Sequence, residues 1–243
     1  LGGLAILNLE GLHGRLEDPY SAIEAIANEP DATVTHLMQE YYAAPIQDNY
    51  VAKTIEAIKN KGGKAAVSFT PLNAKRLGPV AAEAGADYIV IQSTVTTARH
   101  YSKSPNGLNF EDFVQQTKVP VLVGNTVTYS ATLELLETGV SGILVGVGPG
   151  SACTSREVLG IGVPQVTSTL DTSAARDAYK KQTGRYVPII TDGGIRTGGD
   201  LCKSVVAGAD AVMLGSMFAG TQEAPGHGYH WGMATPHAAL PRG

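Results

Sequence analysis

A glycine-rich segment with a thiol and several hydroxyls stands at residues 146–156 and reads Gly-Val-Gly-Pro-Gly-Ser-Ala-Cys-Thr-Ser-Arg. It follows the apolar run 142–145, which predicts a position just past the carboxyl end of a buried strand. Glycines let the backbone approach an anion and point several N–H groups at it. Ser151 adds a hydroxyl donor and Cys153 a nucleophile, so the segment indicates covalent catalysis on a phosphorylated substrate. A plain strand-to-helix connection with an incidental buried cysteine is the alternative.

A second anion-binding pattern follows the last two apolar runs of the chain. Asp192-Gly193-Gly194-Ile195 follows one run, and Gly215-Ser216 follows the other. The last two strand ends of α/β barrels commonly hold a phosphate. The carboxylate of Asp192 would repel a phosphate, so we expect it to accept hydrogen bonds from ribose hydroxyls. The alternatives are that both glycine pairs only turn the chain, or that they serve a flavin.

Short apolar runs alternate with amphipathic segments, which is typical of repeated βα units around a parallel sheet. The apolar runs predict strands at 4–8, 65–70, 88–92, 119–124, 142–146, 187–191 and 211–214. Helices are predicted at 20–28, 49–60, 73–84, 109–116, 130–138, 172–182 and 199–207, and residues 34–38 are compatible with one further short strand. The pattern predicts an α/β fold, a (β/α)8 TIM barrel whose first strand and C-terminal segment are missing from this chain. An open doubly wound sheet is the alternative.

The composition argues against several classes of protein. Hydrophobic residues make up 43% and charged residues 16% of the 243 residues, as in a well-buried globule. A net charge of −4 without a basic stripe argues against nucleic-acid binding. No apolar run reaches the roughly 18 residues that cross a bilayer. Two cysteines and no signal-peptide pattern predict a reducing, cytoplasmic setting. No linker-like stretch divides the chain, so residues 1–243 are predicted to form one catalytic domain.

The remaining polar candidates carry weaker signals. The spacing of the histidines does not match a zinc motif, so each is predicted to be an ordinary polar residue. Glu10 follows an early predicted strand and either lines the mouth of the site or caps a loop. Cys202 lies in a helical pattern and is predicted to belong to the core.

Five motifs in order along the chain resemble the IMP dehydrogenase/GMP reductase family. They are Gly148-Pro-Gly-Ser-Ala-Cys-Thr-Ser-Arg156, Gly160-Ile-Gly-Val-Pro-Gln165, Asp192-Gly-Gly-Ile195, Met213-Leu-Gly-Ser216 and Glu223-Ala-Pro-Gly226. Gly124-Asn-Thr-Val-Thr128 and Gly232-Met233 extend the resemblance over nearly the whole chain. The closing phrase 231–243 is similar to that of bacterial IMP dehydrogenase-related proteins, a subgroup regarded as GMP reductases.

The resemblance implies a role for each matching residue. Cys153 would attack C2 of a purine mononucleotide, and Ser155 holds the position of the family's catalytic threonine. Contacts with the substrate are implied for Ser151, Asp192, Gly193, Gly194, Gly215, Ser216, Met233 and Ala234. Contacts with the cofactor, NADPH or NAD, are implied for Gln92, Ser93 and Asn125. The backbone carbonyls of Gly148, Gly150 and Cys153 occupy positions that bind a monovalent cation, typically potassium. Arg156 and nearby N–H groups are expected to stabilise the thiolate.

Two features bear on the direction of the reaction. Residues 28–65 are too few to hold the pair of regulatory modules inserted in many dehydrogenases, which favours a compact GMP reductase. Gln92 stands where the dehydrogenases usually carry an aspartate for cofactor contact, so the choice between NAD and NADP stays open. We expect NADPH-dependent reduction of GMP to IMP and ammonia. The alternatives are IMP dehydrogenation to XMP with NAD, an FMN-dependent barrel oxidoreductase, and an inactive nucleotide-binding remnant. The family implies a homo-oligomer, usually a tetramer.

Overall fold

The structure, a computed structural model, describes residues 3–99 and 107–232. Its centre is a sheet of seven parallel strands that follow one another in chain order. The strands are β1 (Ile6–Asn8), β2 (Ala66–Phe69), β3 (Tyr88–Gln92), β4 (Val121–Thr126), β5 (Gly142–Val145), β6 (Ile189–Asp192) and β7 (Ala211–Met213). A doubly wound sheet would reverse its strand order, so the consecutive order excludes that alternative and confirms the (β/α)-barrel class.

Helices lie between successive strands and cover the sheet. They are α1 (Pro19–Asn28), α2 (Val34–Ala43), α3 (Asp48–Asn60), α4 (Pro71–Glu83), α5 (Phe110–Thr117), α6 (Tyr129–Glu137), α7 (Ser155–Val158), α8 (Gln165–Thr183), α9 (Gly198–Val206) and α10 (Ser216–Ala219). Proline occupies the first position of α1 and α4, where its missing N–H costs no hydrogen bond. Side chains of Asn109 and Thr128 accept hydrogen bonds from the first turns of α5 and α6.

Alternate side chains of the strands divide the core into two layers. Ile89, Val123 and Ile143 belong to the large apolar core, to which helix residues such as Leu77 and Leu135 also contribute. Val90, Leu122 and Leu144 form a separate, smaller cluster. The parallel register brings the carboxyl ends of the strands to one edge of the sheet, where the predicted site residues lie.

Three expectations about elements and burial are wrong. Residues 34–38 are helical rather than a strand, because Val34, Leu37 and Met38 share a helical face that packs on an apolar cluster with Tyr42. Cys202 is exposed rather than part of the core, since it lies on a face of α9 that is open to solvent. The helix predicted at 172–182 starts earlier, at Gln165, directly after Pro164.

Candidate functional site

A cleft with a volume of about 160 Å³ lies at the carboxyl ends of the strands. Its lining consists mainly of strand-end residues and of the glycine-rich loop between β5 and α7, which is called the cysteine loop below. The lining residues are Gln92, Ser93, Thr94, Asn125, Gly146, Gly148, Pro149, Gly150, Ala152, Cys153, Thr154, Ser155, Asp192, Gly193 and Gly232. The structure therefore brings the predicted nucleophile, cofactor residues and ribose ligand to one opening.

Cys153 lies exposed in the cysteine loop. Its backbone N–H donates to the carbonyl of Gly150 at 3.1 Å, which closes a tight turn. Gly146, where the loop leaves β5, has a φ of 137°, a conformation that side chains disfavour. A β-carbon at Gly146 would also lie 2.6 Å from the carbonyl oxygen of Asp192. Glycine is therefore required for the loop to start this close to the end of β6.

The side chain of Arg156 holds the cysteine loop by hydrogen bonds to backbone carbonyls. Its Nε donates to the carbonyl of Val147 at 3.1 Å, and one of its terminal nitrogens donates to the carbonyl of Val163 at 2.7 Å. The guanidinium thus connects the beginning of the loop to the segment that leads into α8. The guanidinium of Arg156 therefore has a structural role, and its effect on the Cys153 thiolate stays a prediction.

The turn after β6 packs directly on the cysteine loop. Gly193 and Gly194 have φ values of 84° and 78°. A β-carbon at Gly193 would lie 3.2 Å from the backbone nitrogen of Gly150, and one at Gly194 would lie 3.3 Å from Cβ of Pro149. The N–H of Gly193 donates to the carbonyl of Met213 at 3.3 Å, which connects the turn to β7. The two glycine-rich loops predicted to serve one nucleotide are therefore neighbours.

Three strand ends meet at the carboxylate of Asp192. Its Oδ2 accepts hydrogen bonds from Nε2 of Gln92 at 2.7 Å and from Nδ2 of Asn125 at 2.8 Å. Gln92 Nε2 also lies 2.9 Å from Oδ1 of Asn125. Burial raises the pKa of the Asp192 carboxyl above its ordinary value, and the two amide donors oppose that shift. The sequence predicted each of these residues separately, but not that the two cofactor candidates contact the ribose candidate.

Ser155 and Ser93 also line this cleft, whereas Ser151 lies outside its lining. Ser155 is the first residue of α7 and packs against Gly148, where a β-carbon would lie 3.2 Å from that of Ser155. Ser93 donates from its hydroxyl to the carbonyl of Val95 at 2.8 Å, so its side chain already has a backbone partner. Ser151 is exposed.

Gly215 and Ser216 follow β7, at the start of α10. A β-carbon at Gly215 would meet no atom within 4 Å, so space is open there. Met233 and Ala234 lie outside the described residues.

Glu10 and Gln165 have structural roles that the sequence alone did not specify. The buried carboxylate of Glu10 accepts hydrogen bonds from the N–H of Thr70 at 2.7 Å and from Nδ2 of Asn73 at 2.9 Å. Of the two interpretations of Glu10, the structure supports the loop cap. Nε2 of Gln165 donates to the carbonyl of Val145 at 2.8 Å and to that of Asp192 at 3.0 Å. It thereby joins the ends of β5 and β6 behind the cysteine loop.

Within residues 3–99 and 107–232, no group of three or more His, Cys, Asp and Glu side chains could hold a metal ion. This finding does not bear on a monovalent cation, which would be bound by backbone carbonyls and not by these side chains. Of the three carbonyls predicted for it, that of Gly150 already accepts the N–H of Cys153. None of the helices in the same ranges is long and apolar enough to cross a membrane.

A thiol on a glycine-rich loop, packed against a second glycine turn at the strand ends, defines a (β/α)-barrel enzyme. The sequence model described as "IMP dehydrogenase / GMP reductase domain" matches residues 28–234. The chain therefore belongs to the IMP dehydrogenase/GMP reductase family and is an oxidoreductase of that family. Members of this family bind purine mononucleotides as substrates.

Several curated and solved proteins are similar to this chain. An uncharacterized oxidoreductase of Mycolicibacterium smegmatis is 40% identical over 250 residues, covering 100% of this chain and 67% of that protein. An inosine-5′-monophosphate dehydrogenase of Thermoplasma acidophilum is 44% identical over 145 residues, which are 59% of this chain and 27% of that protein. The crystal structure of an IMP dehydrogenase/GMP reductase-like protein from Corynebacterium glutamicum matches with a TM-score of 0.85 and 38% identity. That match covers 93% of this chain and 60% of the other.

Proposed function

We propose that this protein reduces GMP to IMP and ammonia with NADPH, through a covalent adduct between Cys153 and C2 of the purine. The observation that carries the proposal is the packing of the cysteine loop on the Gly193–Gly194 turn. This packing supports a single nucleotide whose phosphate end lies at the glycine turns and whose base lies at the thiol. Phosphate anchoring then supplies remote binding energy that positions C2 beside the sulfur.

The proposed reaction has two chemical stages. In the first, the Cys153 thiolate adds to C2 of GMP, and the C2–N bond breaks as the exocyclic amine takes a proton and leaves as ammonia. In the second, C2 accepts a hydride and the carbon–sulfur bond breaks, which releases IMP and restores the thiolate. Reduced nicotinamide supplies that hydride when it is bound, because no amino-acid side chain can carry one. The proposed role of Ser155 is to hydrogen-bond the departing ammonia.

The residues proposed to bind the nucleotide are those that the family motifs indicate. Ser151, Gly194, Gly215 and Ser216 are proposed to bind the phosphate, with Met233 and Ala234 offering backbone groups to the base. Asp192 is proposed to accept hydrogen bonds from the ribose hydroxyls. Its half-buried carboxylate is already oriented by the two amides, so little reorganisation is needed when a hydroxyl donor arrives.

The nicotinamide is proposed to bind beside Gln92, Ser93 and Asn125, which line the same cleft as Cys153. Dehydrogenases of the family generally use NAD, whereas we propose NADPH for this chain. Potassium at the carbonyls of Gly148, Gly150 and Cys153 belongs to the same proposal. We also propose that the protein is a homotetramer, that it is cytoplasmic and that residues 1–243 form a single catalytic domain.

The compact architecture supports the reductive direction. Residues 28–65 contain α2 and α3, where many dehydrogenases of the family carry inserted regulatory modules. IMP dehydrogenase is the second candidate, because relatives that carry that name are 40–44% identical over the segments they share with this chain. Both reactions use the same cysteine and the same nucleotide ligands, so an activity assay must decide between them.

The experiment compares the two directions in the full-length protein and its variants. Wild type is expected to oxidise NADPH in the presence of GMP and to release one ammonia for each NADPH. Cys153→Ser should abolish turnover while GMP binding survives, and Cys202→Ala, which changes the exposed thiol on α9, should keep the wild-type rate. Reduction of NAD with IMP, without GMP-dependent loss of NADPH, would replace the reductase by the dehydrogenase.

A further inference from the structure

The segment 224–232, called the strap below, joins the cysteine loop to the helices α1 and α2. Nε1 of Trp231 donates to the hydroxyl of Tyr42 on α2 at 3.0 Å. Nε2 of His227 lies 2.8 Å from Oε2 of Glu24 on α1, and that contact lowers the pKa of Glu24. The strap is therefore attached at two points to helices that lie outside the catalytic cleft.

The same segment also contacts the cysteine loop. A β-carbon at Gly232 would lie 3.1 Å from the carbonyl oxygen of Ala152, the residue before Cys153. Nε2 of His230 lies 3.4 Å from the hydroxyl of Ser151. Trp231 thus stands between two residues that contact the loop, and it lies two positions before Met233, which is proposed to contact the nucleotide base. A shift of Trp231 would therefore displace groups on both sides of it.

Tyr42 is buried, and its backbone carbonyl belongs to a chain of hydrogen bonds that reaches the barrel. Its side chain is 5% exposed, and its carbonyl accepts a hydrogen bond from Arg15 at 3.1 Å. Arg15 also donates to the carbonyl of Glu10 at 2.9 Å. Glu10 in turn binds the N–H of Thr70, next to the end of β2. Tyr42 is consequently connected to the barrel through buried hydrogen bonds, and burial raises its pKa, which keeps the hydroxyl protonated.

We propose that Tyr42 is a positioning residue of the nucleotide site. Its hydroxyl fixes the indole of Trp231, and the indole fixes the strap against the cysteine loop. Tyr42 lies outside the lining of the cleft that holds Cys153, and it lines a second pocket with Gly215 and Trp231, so we expect it to act on how well the site is formed and not on the chemistry at the thiol. The nucleotide part of this inference rests on the proposed function, whereas the attachment of the strap does not.

Tyr42→Phe removes only the hydroxyl that accepts the indole hydrogen bond. We expect the KM for GMP, and the dissociation constant of GMP, to rise about three- to tenfold, as for the loss of one neutral hydrogen bond. The value of kcat should stay within about twofold of wild type, because the thiol and the barrel are untouched. Tyr41→Phe is the matched control, since Tyr41 neighbours Tyr42 on α2 and no described residue hydrogen-bonds its hydroxyl. The control should change neither constant.

Trp231 provides a direct second measurement, because it is the single tryptophan of the chain. Acrylamide should quench its fluorescence more strongly in full-length Tyr42→Phe than in wild type or Tyr41→Phe. In a Trp231→Phe background, Tyr42→Phe should add no further change in KM, since the donor is already gone.

The proposal is overturned if quenching and the KM for GMP are unchanged in Tyr42→Phe, or if kcat falls while KM stays constant. Should wild type bind neither GMP nor IMP, the proposed function fails, and the quenching comparison alone decides whether Tyr42 holds the strap.

Discussion

Gly193→Ala tests whether contact between the two glycine loops positions the nucleophile. Gly193 has a φ of 84°, and a left-handed conformation costs an L-residue about 1–2 kcal/mol. The new β-carbon would also lie 3.2 Å from the backbone nitrogen of Gly150 and 3.2 Å from Cγ of Pro149. These contacts are too short by a few tenths of an ångström, so the cysteine loop must shift by that amount. The variant therefore combines backbone strain with displacement of the loop that carries Cys153.

The displacement sets the expected loss of activity. A misplacement of 1 Å costs about 100-fold in rate, so a few tenths of an ångström predict about a three- to tenfold fall in kcat/KM for GMP. The strain predicts a loss of about 1–2 kcal/mol in the free energy of unfolding. Both quantities are measurable, the first from NADPH absorbance with GMP as substrate and the second from denaturant unfolding.

Gly184→Ala separates the two effects. Gly184 ends α8 with a φ of 76°, and a β-carbon there would meet no atom within 4 Å. This control should lose about the same stability, about 1–2 kcal/mol, and keep the wild-type kcat/KM. The reasoning is refuted if folded Gly193→Ala retains a kcat/KM within about twofold of Gly184→Ala, because the loop contact would then not position the thiol.

Three further changes test the phosphate site, the buried carboxyl and the loop. Gly215→Asp, at a position with open space, should place a carboxylate against the phosphate and weaken GMP binding at least tenfold, about 1.4 kcal/mol by calorimetry; unchanged affinity in the folded variant would count against the site. The pKa of the Asp192 carboxyl is raised in the folded protein, so the fold favours the protonated form of this group. Its contribution to stability is therefore fully present below the pKa that the group has in the unfolded chain, and it is lost as the pH rises through the pKa that the group has in the folded protein. Asp192→Asn, which does not titrate, should therefore gain melting temperature relative to wild type as the pH rises above the ordinary carboxyl pKa, and a difference independent of pH would contradict this. Arg156→Met removes the two hydrogen bonds that hold the cysteine loop and should lower kcat/KM at least about tenfold, whereas Arg156→Lys should lose less.

Local chemistry allowed much of the fold to be predicted from sequence. Strands covered on both faces are mostly apolar, so apolar runs predict β2 to β6. A helix that ends just before a strand favours a glycine with positive φ, and Gly85 after α4 and Gly208 after α9 have φ values of 88° and 104°. The cysteine loop was recognisable for a similar reason, since a thiol among glycines is a local pattern. Residues 34–38 are compatible with a strand by sequence and form part of a helix, because a short apolar run does not by itself distinguish the two.

The sequence by itself determined the alternation of strands and helices, the family motifs and the identity of the candidate nucleophile. Tertiary structure alone decided which polar groups meet. Asp192, Gln92 and Asn125 are separated by 33 to 100 positions, yet they form one hydrogen-bonded group because parallel strands end at the same edge. The direction of the Arg156 guanidinium, and the contact of Trp231 with Tyr42 across 189 positions, likewise depend on loops that come together only when the barrel forms. Periodicity specifies the elements, whereas a pairing between distant side chains exists only in the packed fold.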